Sequence, residues 1–409
     1  MLDHVDVGVV GFRAYEPYVS SELAREIRSL ARHLKGARVA QINATPYGGG
    51  VSELLRSLVP MYKGLGIHAD WKVITGDPRF FDITKSFHNA LQGAPEEITS
   101  LAGETYLMYN KMNADLLDEE YDFFIIHDPQ ALAIRHFKGR DNAKWVWRCH
   151  IDTSNPNKDV LTFLLRYFAE YDAIVFTMEQ FVPPALGHRK LAIIPPAIDP
   201  ISPKNMDLPQ ETCRQILTWL GVNPRQPLLT QVSRFDPWKD PMGVIEVYRR
   251  VRSEVPGLQL AMIASMAMDD PEGWEIHKQV VEETKGDDEI HVRTNLVGVS
   301  DVEVNAFQRL SNVVLQKSIR EGFGLVISES LWKGTPVVAN RAGGIPLQME
   351  DGVGGFLVES TEQAAERSLY LLRHPREAKA IGRAGQERVR ERFLMPRLLA
   401  DELRLLASL

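Results

Sequence analysis

Two glutamates separated by seven residues stand in the stretch Val313-Val-Leu-Gln-Lys-Ser-Ile-Arg-Glu-Gly-Phe-Gly-Leu-Val-Ile-Ser-Glu-Ser-Leu-Trp-Lys-Gly334. The pattern predicts a strand, a glycine-containing loop that holds Glu321, and a helix that carries Glu329 and stops at Gly334 before Pro336. Gly322 and Gly324 let the backbone come close to a ligand, and the open amides of a helix start suit an anion. A carboxylate beside an anion site makes electrostatic sense when its own partners are hydroxyls, and a sugar supplies those. Taken singly, either glutamate reads as an ordinary solvated side chain; the strand-loop-helix setting is what makes the pair a candidate.

A second cluster is Thr230-Gln-Val-Ser-Arg-Phe-Asp-Pro-Trp-Lys-Asp240, with Arg234 and Lys239 just past a strand end and ahead of a helix starting near Pro241. A guanidinium offers phosphate oxygens a bidentate fork, and an ammonium adds a compact charge. Together they can neutralise a departing diphosphate, work that a divalent metal does in other enzymes, and the chain has no Asp-x-Asp pair to hold such a metal. The third element is Ile42-Asn-Ala-Thr-Pro-Tyr-Gly-Gly-Gly-Val-Ser-Glu-Leu54, where Gly48, Gly49 and Gly50 join a strand to a helix and can turn amides toward phosphate. It is neither a Walker A loop nor a G-x-G-x-x-G fingerprint. His150 is expected to end the strand Trp145-Val-Trp-Arg-Cys-His, with Cys149 on the opposite face. His127, in Ile125-Ile-His-Asp-Pro, is its rival for a functional role.

Positioning these residues requires strand ends, and the chain offers two sets. Strands are expected at 39–44, 71–75, 123–127, 145–150, 173–177 and 192–195, then at 228–233, 258–264, 290–294, 313–315, 336–340 and 355–358. Amphipathic stretches between them predict βαβ units and doubly wound parallel sheets. Ile194-Pro-Pro-Ala-Ile-Asp-Pro-Ile-Ser-Pro203 carries four prolines in nine residues and suits neither a helix nor a central strand, so it separates the two sets. The expected organisation is α/β: residues 1–195 as one Rossmann-like domain, 204–380 as a second, and 381–409 as a helical tail that ends the second or crosses back to the first. Open parallel sheets bind ligands at their strands' carboxyl ends, so two such domains are expected to face across a cleft.

Length and composition set the outer bounds. At 409 residues two domains are the prior, and 44 % hydrophobic with 25 % charged residues is the make-up of a water-soluble globular chain. A net charge of −7 argues against a nucleic-acid partner. Cys149 and Cys213 leave room for a single disulfide at most, and they make neither a disulfide framework nor a zinc site. The sequence shows no signal peptide and no apolar run long enough for a membrane span, so a cytoplasmic location is expected.

These stretches, with Ala342-Gly-Gly-Ile-Pro346, together resemble the GT-B glycosyltransferases of the retaining, glycogen-synthase-like kind, family 4, over most of the chain. The resemblance implies two Rossmann-like domains and a nucleotide-sugar co-substrate, with no cofactor and no metal. It implies that Glu321 bonds the donor sugar and Glu329 the nucleotide ribose. Arg234, Lys239, the amides of Gly324 and Leu325, and the Gly48–Gly50 loop would hold the diphosphate. His150 would lie near the sugar's C6 hydroxyl and the reaction centre. Within that family, the segments 40–53 and 122–130 resemble the trehalose glycosyltransferring synthases. Those join glucose from a nucleoside diphosphate glucose to free glucose, giving trehalose, with Asp128, His150 and Asp152 as first-domain members of the acceptor pocket. The alternatives are a phosphorylase acting on trehalose, a family 4 transferase with another acceptor, a non-catalytic sugar-nucleotide binder and an epimerase. A homo-oligomer is compatible with any of them.

Overall fold

The apolar runs form two seven-stranded sheets in a computed structural model that describes residues 1–139, 141–187, 190–266 and 271–409. The first sheet holds β1 (Asp3–Val5), β2 (Arg38–Asn43), β3 (His68–Val73), β4 (Phe123–His127), β5 (Lys144–Arg148), β6 (Ala173–Phe176) and β7 (Leu191–Ile193), in the order β1-β3-β2-β4-β5-β6-β7. The second holds β8 (Leu228–Val232), β9 (Gln259–Ala264), β10 (Ile290–Thr294), β11 (Val313–Gln316), β12 (Val337–Asn340), β13 (Glu350–Asp351) and β14 (Gly354–Val358), in the order β10-β9-β8-β11-β12-β14-β13. All pairings are parallel save β1 with β3, an antiparallel edge that the expectation of purely parallel sheets did not include.

Each sheet is buried on both faces, which is why its strands read as unbroken apolar runs rather than alternating ones. In the first, Phe124 stacks on Trp145 with ring centroids 4.1 Å apart. In the second, Leu229, Val313, Leu315 and Val338 meet Val244 and Tyr248 of the helix Pro241–Arg252, while Ala261 and Ile263 meet Leu217 and Phe307.

The chain divides into two units, Met1–Pro196 with Met395–Leu409, and Ala197–Leu394. The helix Pro375–Arg392 belongs to the second, because Gly382 and Gly385 let it rest on the backbone at Gly334 and Gly354. The segment that joins the first unit therefore starts at Met395, not at 381. Its helix, Met395–Ala407, lies against the helices Ser21–His33 and Gly50–Gly64. Arg397 donates to the carbonyls of Pro195 and Pro196, fastening the start of that helix to the end of the first sheet's chain.

In both sheets the winding reverses at one place. The chain leaves β2 for β3 on one side and places β4 on the other; β8 has β9 on one side and β11 on the other. Ligands of doubly wound sheets bind outside the carboxyl ends of strands at such reversals.

Candidate functional site

In the second unit the reversal is lined by the loops after β8 and β11. The first runs through Arg234 to a single turn, Pro237–Lys239, and is stopped by Asp240, whose carboxylate caps the helix Pro241–Arg252 by accepting from the Gly243 amide at 3.0 Å. Asp240 also pairs with the buried Lys317 at 3.4 Å. The two loops are joined by the Ile319 amide donating to the Trp238 carbonyl at 2.8 Å. That join brings Lys239 Nζ to 2.6 Å from Glu321 Oε2.

The same carboxylate oxygen also accepts from Gln316 Nε2 at 3.2 Å and Ser318 Oγ at 3.1 Å. Oε2 is thus saturated by three donors while Oε1 takes none among the described residues. A carboxylate anchored in this way holds its second oxygen in a fixed direction. Arg234, half exposed, faces Asp236 at 3.5 Å.

Gly324 caps the helix Leu325–Trp332 at φ 83°, with no side-chain oxygen to satisfy the first amides, and those of Gly324 and Leu325 have no acceptor among the described residues. The glycines of Ala342-Gly-Gly-Ile-Pro346 have a steric purpose: a Cβ at Gly343 would sit 1.5 Å from the Glu321 carbonyl oxygen, and one at Gly344 2.6 Å from that of Gly322. Glu329 is buried, with Gln308 Nε2 at 3.1 Å and Lys204 Nζ at 3.6 Å, so it faces an ammonium rather than open solvent.

In the first unit, the loop after β2 carries Gly48 at φ 71°, and Gly49 caps the helix Gly50–Gly64 without a side-chain bond. Other helices of this chain are capped by side chains, among them Ser20, Asp77, Thr99 and Ser360. The helix starts at Gly49 and Gly324 leave their first amides without a side-chain acceptor, as anion sites require. β5 stops at Arg148, two residues short of the expected end, so His150 lies in the loop beyond it. There its amide donates to Asp128 Oδ1 at 2.8 Å. Asp152 is turned inward on its own loop, accepting from the Ser154 amide and hydroxyl.

His127 and His150, rivals on sequence grounds, are partners: His127 Nδ1 lies 2.9 Å from His150 Nε2, and the rings stack. Burial, and the Arg148 charge after it, hold His127 well below the usual histidine range; burial, Arg148 and His127 do the same to His150. Burial pushes the half-buried Asp128 carboxyl up to about 7.

Sequence reasoning missed the residues behind this pair, Gln41, Tyr62, Arg148 and Glu402, all buried and hydrogen-bonded together. A glutamine inside the apolar β2 and a glutamate in the apolar stripe Leu398-Leu-Ala-Asp-Glu-Leu403 were the available signals. Cys149 and Cys213 are both free, and burial raises both thiols. No helix among the described residues is long and apolar enough to cross a membrane.

Two doubly wound parallel-sheet units in one chain make the GT-B fold of glycosyltransferases. Sucrose-phosphate synthase from Thermosynechococcus elongatus has the same fold, with a TM-score of 0.70 over 90 % of this chain and 98 % of that one at 17 % identity. So has an Anabaena protein solved in complex with UDP and glucose, with a TM-score of 0.69 over 91 % of this chain and all (100 %) of that one at 16 % identity. Residues 41–183 match the family described as trehalose synthase, N-terminal domain, and residues 218–388 the glycosyl transferases group 1. A trehalose synthase of Rubrobacter xylanophilus is 49 % identical over 414 residues, covering 100 % of this chain and 99 % of that protein. The chain belongs to the trehalose synthase family of glycosyltransferases.

Proposed function

We propose that the chain transfers glucose from a nucleoside diphosphate glucose to free glucose, forming α,α-1,1-trehalose with retention at the donor carbon and without a metal ion. The observation that carries this reading is the Lys239–Glu321 contact at 2.6 Å, in which one carboxylate oxygen is anchored and the other is left for a hydroxyl. In this reading Oε1 of Glu321 accepts from the glucose hydroxyls of the donor. Lys239, Arg234 and the amides of Gly324 and Leu325 take up the charge of the leaving diphosphate, which is why no divalent ion is needed.

Glu329, oriented by Gln308, meets the nucleotide ribose when Lys204 yields to it. The Gly48–Gly50 amides approach the phosphates, His150 the donor sugar, and Asp128 and Asp152 the acceptor. The acceptor hydroxyl attacks the donor carbon on the face that the phosphate leaves, and its proton passes to the departing phosphate oxygen. No carboxylate has to form a covalent intermediate. Support for the donor comes from the UDP and glucose held by the Anabaena fold neighbour. Support for the product comes from the Rubrobacter relative's designation as a trehalose synthase.

The test is an assay of purified protein with glucose nucleotides and free glucose, the product identified by NMR. Trehalose with both anomeric carbons α, made equally well in EDTA, is the expected result, and Glu321→Gln should lower turnover by roughly 10²–10³-fold. A β linkage at the donor carbon, or chelator inhibition reversed by Mg²⁺ or Mn²⁺, would contradict the mechanism. Nucleotide-free release of glucose 1-phosphate from trehalose and phosphate would make the chain a phosphorylase instead.

A further inference from the structure

A line of polar side chains runs through the first unit from its last helix to His150, and every link in it has one allowed direction. It begins at the Glu402 carboxylate, which accepts from Arg148 Nη1 at 2.8 Å, Tyr62 OH at 2.9 Å and Gln41 Nε2 at 2.5 Å. An ionised carboxylate only accepts, so the Gln41 amide must turn its NH₂ to Glu402 and its carbonyl oxygen the other way. That oxygen lies 2.7 Å from His127 Nε2 and also only accepts, which places the His127 proton on Nε2.

Both imidazoles are neutral at neutral pH, since burial and Arg148 disfavour their charged forms. His127 Nδ1 is therefore a lone pair, and His150 Nε2, 2.9 Å from it, must be the donor. One proton per ring leaves His150 Nδ1 unprotonated, and it has no protein partner among the described residues.

We infer that Glu402, acting through Gln41 and His127, is a positioning residue that fixes His150 in the tautomer whose Nδ1 accepts a hydroxyl from the substrate. The catalytic consequence rests on His150 facing the donor sugar; the tautomer does not. A lone pair held at Nδ1 accepts from a sugar hydroxyl and orients its hydrogen, whereas the other tautomer would present N–H and turn that hydroxyl around. The bonds that fix this state lie outside His150 itself. The preference arrives from a glutamate on the helix Met395–Ala407.

The test uses the whole chain labelled with ¹⁵N-histidine, the His150 resonances assigned by their loss in His150→Gln. In the wild type His150 Nδ1 should give a pyridine-type signal and Nε2 a pyrrole-type one; a protonated Nδ1 there would overturn the inference before any relay variant is made. Gln41→Leu removes both the donor to Glu402 and the acceptor for His127 at little change in volume. It should leave a cooperative melt, give His150 Nδ1 pyrrole character and lower kcat by roughly 10–100-fold with KM for the acceptor little changed. An unaltered His150 tautomer in Gln41→Leu would overturn the relay. A changed tautomer at wild-type turnover would uphold the relay and overturn the placing of His150 at the sugar.

Discussion

Asp128 stands at φ 60° and ψ 177°, backbone space that is almost the preserve of glycine and costs about 1–3 kcal/mol. Pro129 keeps ψ extended, and the carboxylate's bond from the His150 amide holds the bend in place. Its titration opposes that of its neighbours. His127 and His150 are held neutral in the fold, so between roughly pH 6 and 5 the unfolded chain takes up protons that the folded chain refuses, and stability falls as pH falls. Asp128, pushed up to about 7, keeps a proton in that window which the unfolded chain has lost, so its contribution grows as pH falls. Asp128→Asn deletes only the second effect. Acid should then weaken the first unit more steeply than in the wild type, by about 1.4 kcal/mol per pH unit in that window. Hydrogen exchange of β4 and β5 in urea at pH 7, 6 and 5 measures this; equal slopes would show that Asp128 does not titrate there. The strain and the histidine pairing were not legible in the sequence. Asp128-Pro129 reads as any turn, and the contact between His127 and His150 depends on β4 and β5 lying side by side in register.

Elements, by contrast, were largely legible. Each expected strand has a counterpart within three residues at either end, because a strand buried on both faces declares itself as an apolar run. The two that escaped, Asp3–Val5 and Glu350–Asp351, are short, polar edge strands with no such signature. Motifs were legible as motifs while their causes were not. Ala342-Gly-Gly-Ile-Pro346 stood out, yet only the structure shows that its glycines allow one loop to lie on the backbone of Glu321 and Gly322. Gly343→Ala should therefore displace the Glu321 loop and cut turnover by about 10-fold or more, since a shift of an ångström in a positioned group has that scale of effect. Gly352→Ala is the matched control: it also has positive φ, 82°, but open space around it, so it should cost about 1–2 kcal/mol of stability and leave turnover alone. Equal turnover in the two variants would deny the close approach any role.

At the scale of the whole molecule the two units differ in how the chain completes them. The second is continuous from Ala197 to Leu394, with its own sheet, both of its helical layers and the Lys239–Glu321 pair. The first is closed by a segment distant in sequence, Met395–Leu409, which no reading of local pattern could assign to it with the right boundary. Those residues bury Leu398, Leu399, Leu403 and Leu406 and neutralise Arg148 through Glu402. Four leucines at roughly 1.5–3 kcal/mol each, and a buried guanidinium whose lost partner costs about 3–5 kcal/mol more, amount to the whole stability of an ordinary domain. Residues 197–394 alone should melt cooperatively and bind a nucleoside diphosphate glucose in calorimetry, with Lys239→Ala weakening that binding. Residues 1–196 alone should lack a cooperative melt, and should regain one when 395–409 is joined through a short flexible linker. A cooperative transition in 1–196 without that helix would mean that Arg148 finds another counterion and that the closing segment is dispensable to the first unit's core.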